Sequence, residues 1–110
     1  MGYDKALEAL ADPTRRALFE RLGKTPSSVG KLAAAFPISQ PAVSQHLRVL
    51  REAELVRVTK EGTRRIYFVN IQGLAALRTY LDSFWQDVLT AFGESASKHS
   101  GGTRDDPTTG

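Results

Sequence analysis

Two runs of β-branched and aromatic residues, Leu55-Val56-Arg57-Val58-Thr59-Lys60 and Arg65-Ile66-Tyr67-Phe68-Val69, flank Glu61-Gly62-Thr63 in a chain whose other apolar residues recur at helical intervals. Such a pair reads as a hairpin, with glycine available for the positive φ of its turn. One hairpin set between four short helices and one long helix restricts the fold class to a mainly α domain carrying a two-stranded β wing.

The helices are punctuated by caps and prolines. Tyr3, Ala6, Leu7 and Leu10 have helical spacing, and Asp12-Pro13 then supplies an N-cap and a proline at the first helical position. The second helix runs from Pro13 to about Leu22, with Gly23 as its expected stop. Ser27 or Ser28 starts a third, which Pro37 ends. Ser39 caps a fourth, with Gln40 and Pro41 in its first turn, reaching about Ala53. Asn70 is placed to cap a last helix from Ile71 to about Phe92. From Gly93 onward the residues are almost all polar or small, so residues 93–110 are expected to form a disordered tail after a domain spanning 1–92.

At about 100° per residue the fourth helix separates into two arcs. Ala42, Val43, His46, Leu47, Val49, Leu50 and Ala53 lie on one side. Gln40, Pro41, Ser44, Gln45, Arg48, Arg51 and Glu52 lie on the other. The second arc is what major-groove readout of double-stranded DNA requires, since Gln pairs bidentately with adenine, Arg with guanine, and Ser with either. Gln40, Ser44 and Gln45, nearest the helix N-terminus, are the candidate base readers. Ser39, Arg48 and Arg51 are candidates for the phosphate backbone.

The hairpin tip adds Lys60, Thr63, Arg64 and Arg65, which would reach backbone or minor groove beside that helix. Charge is distributed to match: residues 39–70 hold six Lys/Arg against three Asp/Glu, while residues 71–110 hold three against five. A basic middle beside an acidic end suits a polyanion met by one part of the molecule.

Ala11-Asp12-Pro13-Thr14-Arg15-Arg16, the run from Ser39-Gln40-Pro41 through Arg48-Val49-Leu50, and Gly62-Thr63-Arg64-Arg65-Ile66-Tyr67 resemble the ArsR family of small winged-helix repressors, over about residues 4–92. The resemblance implies a winged helix-turn-helix fold and a homodimer on an operator of inverted symmetry. It further implies pairing through the first and last helices, and repression relieved by an inducer that the sequence does not name. By motif position it puts base readout on Gln40, Ser44 and Gln45. One departure stands out: where the family has Gly-Leu-Val after the recognition helix, this chain has Glu54-Leu55-Val56. Glu54 costs about 1 kcal/mol if it adopts the left-handed conformation there, the alternative being a helix that ends differently.

Metal sensing, common in that family, is not expected. The chain has no cysteine, and Asp82 and Asp87 lie about 140° apart round a helix that, if it ends near Phe92, carries no histidine. No cofactor is expected. His46, in the apolar arc, reads as a core histidine, with a phosphate contact as the other reading.

The last helix carries more apolar surface than a small winged domain covers. Tyr3, Leu7 and Leu10 of the first helix, with Leu77, Tyr80, Leu81, Phe84, Trp85, Val88 and Leu89 of the last, are the expected dimer interface. Inward packing of one face, or an inducer pocket along the same stripe, are the other uses open to it.

The N-terminus has no apolar leader and no run approaches the length of a membrane span, so a cytoplasmic protein without a membrane partner is expected. No nucleophile–base pair or phosphate loop forms a catalytic motif, and an enzyme is not expected. The sequence thus points to a DNA-binding repressor. The alternative is a dimeric winged-helix interaction module without base readout.

Overall fold

The computed structural model describes residues 2–100, with side chains over 3–93. In chain order the elements are α1 (Gly2–Ala11), α2 (Pro13–Lys24), α3 (Val29–Ala35), α4 (Gln40–Glu52), β1 (Val56–Glu61), β2 (Arg64–Val69) and α5 (Ile71–Ser100). The chain divides between Leu77 and Arg78 into two units. The first holds the four short helices, the hairpin and the start of α5.

Short polar side chains set the helix starts. The Asp12 carboxylate accepts from Arg15 N–H at 2.9 Å ahead of Pro13, and that bond, foremost, holds its pKa below the ordinary carboxylate value. Ser28 accepts from Lys31 N–H at 3.2 Å and Ser39 from Ala42 N–H at 3.2 Å. Each satisfies an amide that the helix itself leaves without a partner. Arg15 and Arg16 turn back across the α1–α2 corner, where Arg15 Nε donates to Ala9 O at 2.8 Å and an Arg16 Nη to Leu10 O at 2.6 Å. The last carbonyls of α1 are thereby closed by cations, as the helix dipole favours.

Two expected helix ends are corrected. Gly23 does not stop α2, which continues to Lys24 and ends at Thr25, an extended residue with φ −159° and ψ 129°. Pro26 accounts for this, because the residue before a proline is driven out of the helical region. At the other end of the chain α5 does not finish at Phe92 but runs to Ser100. Gly93 costs a helix about 1 kcal/mol, which one interior position tolerates, and Glu94-Ser95-Ala96-Ser97-Lys98 contains no breaker. The remainder of the expected tail, residues 101–110, lies outside the described residues.

Helix α4 ends where Glu54 takes φ 62°. Glu54 N–H donates to Arg51 O at 2.9 Å and Leu55 N–H to Leu50 O at 3.0 Å, the paired bonds of a Schellman motif. Glu54 therefore occupies the left-handed position that glycine would fill without strain.

The hairpin pairs Val56 with Val69, Val58 with Tyr67, Lys60 with Arg65 and Glu61 with Arg64. Its turn is two residues, Gly62 and Thr63, with Gly62 at φ 66°. Ser27, in the α2–α3 connection, exchanges two backbone bonds with Tyr67, at 3.0 and 2.9 Å. This bridge gives the wing a third point of attachment that the sequence did not disclose.

The core of the first unit is built on Leu18, Leu32, Val43, Leu47, Leu50 and Leu55, all fully buried. Three of the six are the inward arc of α4, and Leu55 follows two residues past its C-cap Ala53, so α4 is anchored along its length. At roughly 1.5–3 kcal/mol per buried side chain, this arc is a large share of what holds a domain of this size together.

Candidate nucleic-acid interface

Burial along α4 divides it as the two-arc pattern requires. Val43, Leu47 and Leu50 are buried, and Ala42, His46 and Val49 are half-buried. Gln40, Pro41, Ser44, Gln45, Arg48, Arg51 and Glu52 are exposed. Ser39, one residue ahead, is exposed too, although its hydroxyl is engaged as the cap of the helix. The polar face thus stands free of the fold while the opposite face is locked into it, which fixes the direction in which the glutamines project.

The wing meets this helix at its N-terminal half. Ser44 of α4 lines a cleft of about 470 Å³ together with Ser28, Val29 and Gly30 of the α3 start and Arg64, Arg65 and Tyr67 of β2. Two wing cations and one candidate base reader therefore border a single open space. Lys60, Thr63, Arg64 and Arg65 are all exposed. Arg51 lies elsewhere, beside Arg57, Asn70 and Gln72 in a separate cleft past the far end of α4. The structure thus separates the phosphate candidates: Arg64 and Arg65 border the same cleft as Ser44, and Arg51 stands at the opposite end of the helix. Arg57 joins Arg51 there, a residue that sequence reasoning passed over because alternation alone did not show which side chains of β1 stay exposed.

The hairpin register carries an electrostatic signal of its own. Glu61 opposite Arg64 is a favourable cross-strand pair, whereas Lys60 opposite Arg65 sets two cations against each other at a spacing of about 5 Å between β-carbons. They share the strand face of Val58 and Tyr67. A like-charge pair at a tip costs a hairpin stability, and a phosphate group between the two cations removes that cost.

Replacing Arg64 and Arg65 together with alanine is expected to weaken binding to every duplex to a similar degree. The slope of log affinity against log salt should fall by up to about 1.8, the value for two phosphate contacts. An unaltered slope in a salt titration would take the wing out of the interface.

His46 is half-buried, and its Nδ1 is buried without a hydrogen-bond partner among the described residues. It belongs to the inward side of α4 and does not join the polar face. Among the described residues no three His, Asp or Glu side chains gather into a group that could hold a metal ion.

The expected dimer residues fall into three groups. Leu77 is 6% exposed and belongs to the core of its own unit. Tyr3, Leu10, Tyr80 and Val88 are half-buried. Leu7, Leu81, Phe84, Trp85 and Leu89 are exposed, Phe84 and Trp85 at 57% each. Leu74, Ile71 and Phe92 join the exposed apolar set of α5. No helix among the described residues is long and apolar enough to cross a membrane, so this surface is not a bilayer span.

Comparison with known proteins agrees with this geometry. Residues 10–59, from the end of α1 into β1, match a family model described as a helix-turn-helix domain. The HTH-type transcriptional regulator Rv2034 of Mycobacterium tuberculosis is 55% identical over 91 residues, covering 83% of this chain and 85% of that protein. The transcriptional repressor SdpR of Bacillus subtilis is 33% identical over 67 residues, covering 61% of this chain and 74% of that protein. Among solved structures, an ArsR-like transcriptional regulator from Rhodococcus sp. RHA1 superposes with a TM-score of 0.73 at 28% identity, covering 86% of this chain and 92% of that one. With its capped recognition helix, its basic wing and these relatives, the chain belongs to the ArsR family of winged helix-turn-helix transcriptional regulators.

Proposed function

We propose that this protein represses transcription as a homodimer whose two α4 helices enter successive major grooves, about 34 Å apart, on a pseudo-palindromic operator. One observation carries the reading: every polar side chain of the α4 outer arc is exposed above a fully buried Val43, Leu47 and Leu50, beside a wing whose tip is cationic. Gln40, Ser44 and Gln45 read base edges. Arg48, Arg51, Lys60, Arg64 and Arg65 hold the phosphate backbone, with Ser39 and Thr63 as uncharged donors to it.

Homodimerisation rests on α5. Leu81, Phe84, Trp85, Leu89 and Phe92 are exposed apolar side chains on one helix, and a two-fold contact covers such a stripe twice. Relief of repression requires a small molecule that favours the arrangement unable to bind DNA, since equal affinity for both arrangements shifts neither. That SdpR is a repressor supports repression as the direction of control here.

Fluorescence anisotropy on a duplex from the gene's own upstream region, against a scrambled duplex near physiological salt, tests the reading. The expected result is at least about a thousandfold preference with two chains per site. Trp85, the single tryptophan of the chain, reports on pairing in the same sample: its emission should shift to the red as dilution separates the subunits. Equal, weak binding to both duplexes, repeated on other candidate operators, would favour the interaction-module reading. An emission maximum independent of concentration, with a monomer by sedimentation, would remove α5 as the pairing helix.

A further inference from the structure

The turn that ends the recognition helix and the first turn of α5 approach each other more closely than any residue with a side chain permits. The Glu54 carbonyl oxygen lies against Gly73, where a β-carbon on Gly73 would overlap that oxygen and fall 2.8 Å from the carbonyl carbon behind it. Asn70 Nδ2 donates to the same carbonyl at 2.8 Å. Asn70 N–H donates to Leu55 O at 2.9 Å. Asn70 immediately precedes α5, and its side-chain nitrogen reaches across the gap to Glu54. Glu54 in turn holds a left-handed backbone that costs a non-glycine residue energy. Three unusual features therefore converge on one carbonyl: the strained turn that supplies it as acceptor, a side-chain amide that donates to it, and a glycine on which it rests. All of them lie in the same unit.

Resting on the reading of α4 as the recognition helix and α5 as the pairing helix, we infer that Gly73 and Asn70 are positioning residues for operator recognition. Seated on Gly73 and held by Asn70, the Glu54 carbonyl fixes the end of α4 against the start of α5. In a dimer paired through α5, that joint sets the separation of the two recognition helices, and with it the half-site spacing the protein prefers. Neither residue touches DNA in this account. Neither contributes to base readout within one half-site.

The physical reason the joint is sensitive is its lack of slack. A methyl group at Gly73 meets backbone, which cannot rotate away as a flexible side chain would, so the two elements must part. Such a displacement, of the order of an ångström at the joint, is carried by rigid helices to the major groove, where bidentate pairs tolerate little misplacement. Loss of the Asn70 bond is milder, because the glycine contact remains.

The test uses the full-length chain and duplexes that the wild-type protein selects from a random pool, resynthesised with half-site separations changed by one base pair in either direction. Gly73→Ala should lower affinity for the best spacing by at least about tenfold, and Asn70→Ala by about threefold to tenfold, the range of one net hydrogen bond. In both, preference among spacings should flatten or move, while affinity for random-sequence duplex and the dimer dissociation constant stay at wild-type values. A merely structural role would lower every affinity together and leave the spacing preference where it was; that result, or wild-type affinity and spacing in both variants, overturns the inference. Should Gly73→Ala fail to fold, Asn70→Ala decides alone, since it introduces no overlap. If the wild-type chain selects no sequence at all, the DNA-binding reading fails first and the joint falls with it, an outcome separate from a wild-type chain that selects and variants that do not differ from it.

Discussion

Simultaneous replacement of Gln40, Ser44 and Gln45 by alanine should reduce affinity for the operator by about two to four orders of magnitude and leave affinity for random-sequence duplex unchanged. The magnitude follows from about 1–3 kcal/mol of discrimination per good bidentate pair, with serine contributing less than glutamine. The three side chains are exposed on a helix whose opposite arc is fully buried, so their removal leaves the fold intact and its cations in place. Specific and non-specific binding are thus separable by experiment. Competition titrations against a scrambled duplex measure the two quantities, and the salt slope should stay at its wild-type value because no phosphate contact has been removed. A proportional fall in both affinities would show that these residues do not read bases. Unchanged affinity in both would transfer the function of this face to a protein partner.

The second large effect concerns the arc beneath. Leu47 is completely buried in the middle of α4, and Leu47→Ala should lower the unfolding free energy by about 2–5 kcal/mol, the sum of lost transfer energy and the cavity left behind. For a small domain that is a large fraction of the total. Urea unfolding should show a lower midpoint at an unchanged slope, since the same surface is exposed on unfolding. A loss below about 1 kcal/mol would mean that the arc is not packed as the structure has it. The mutation sits three residues from Ser44 and one from Arg48, so operator affinity measured well below the unfolding midpoint should fall as well, by loosening the platform on which both stand.

Much of this architecture was legible because its signals are local. Asp12 and Ser39 could be assigned as caps, and the third cap narrowed to Ser27 or Ser28, of which the structure uses Ser28, because a short polar side chain three residues ahead of an amide that needs a partner has one obvious use. The two arcs of α4 and the Gly62 turn are likewise properties of contiguous residues, read from periodicity and from backbone freedom. The family pattern marked position 54 as one glycine would fill and left open whether Glu54 takes the left-handed conformation or the helix ends differently; it takes that conformation.

What escaped notice depends on residues far apart in sequence. The Ser27–Tyr67 bridge joins residues 40 positions apart with no flanking strand to announce it. Gly73 looks like a flaw in a helical run until the Glu54 carbonyl is found resting on it. Asn70 reads locally as a cap for the helix that follows, and nothing near it in sequence announces that its side-chain nitrogen donates to Glu54 O, 16 residues earlier. Even the end of α2 was decided by a neighbour, since Pro26 acted through Thr25 while Gly23 stayed helical. At the interface, the exposed polar arc could be predicted residue by residue. That Arg64 and Arg65 would share a cleft with Ser44, and that Arg57 would stand with Arg51, required the fold.

The bridge between Ser27 and Tyr67 changes how the molecule breathes. An isolated two-stranded hairpin frays readily, and a wing of that kind would exchange its amide hydrogens with solvent independently of the helices. Here peeling the wing away also severs two backbone bonds of the α2–α3 connection, so its opening is shared with that corner of the helical core and rare in proportion. A polyanion held at the tip would therefore slow exchange at Ser27, on the far side of the strand from the tip cations in sequence yet tied to them through the backbone. Grip on one exposed loop becomes rigidity inside the domain.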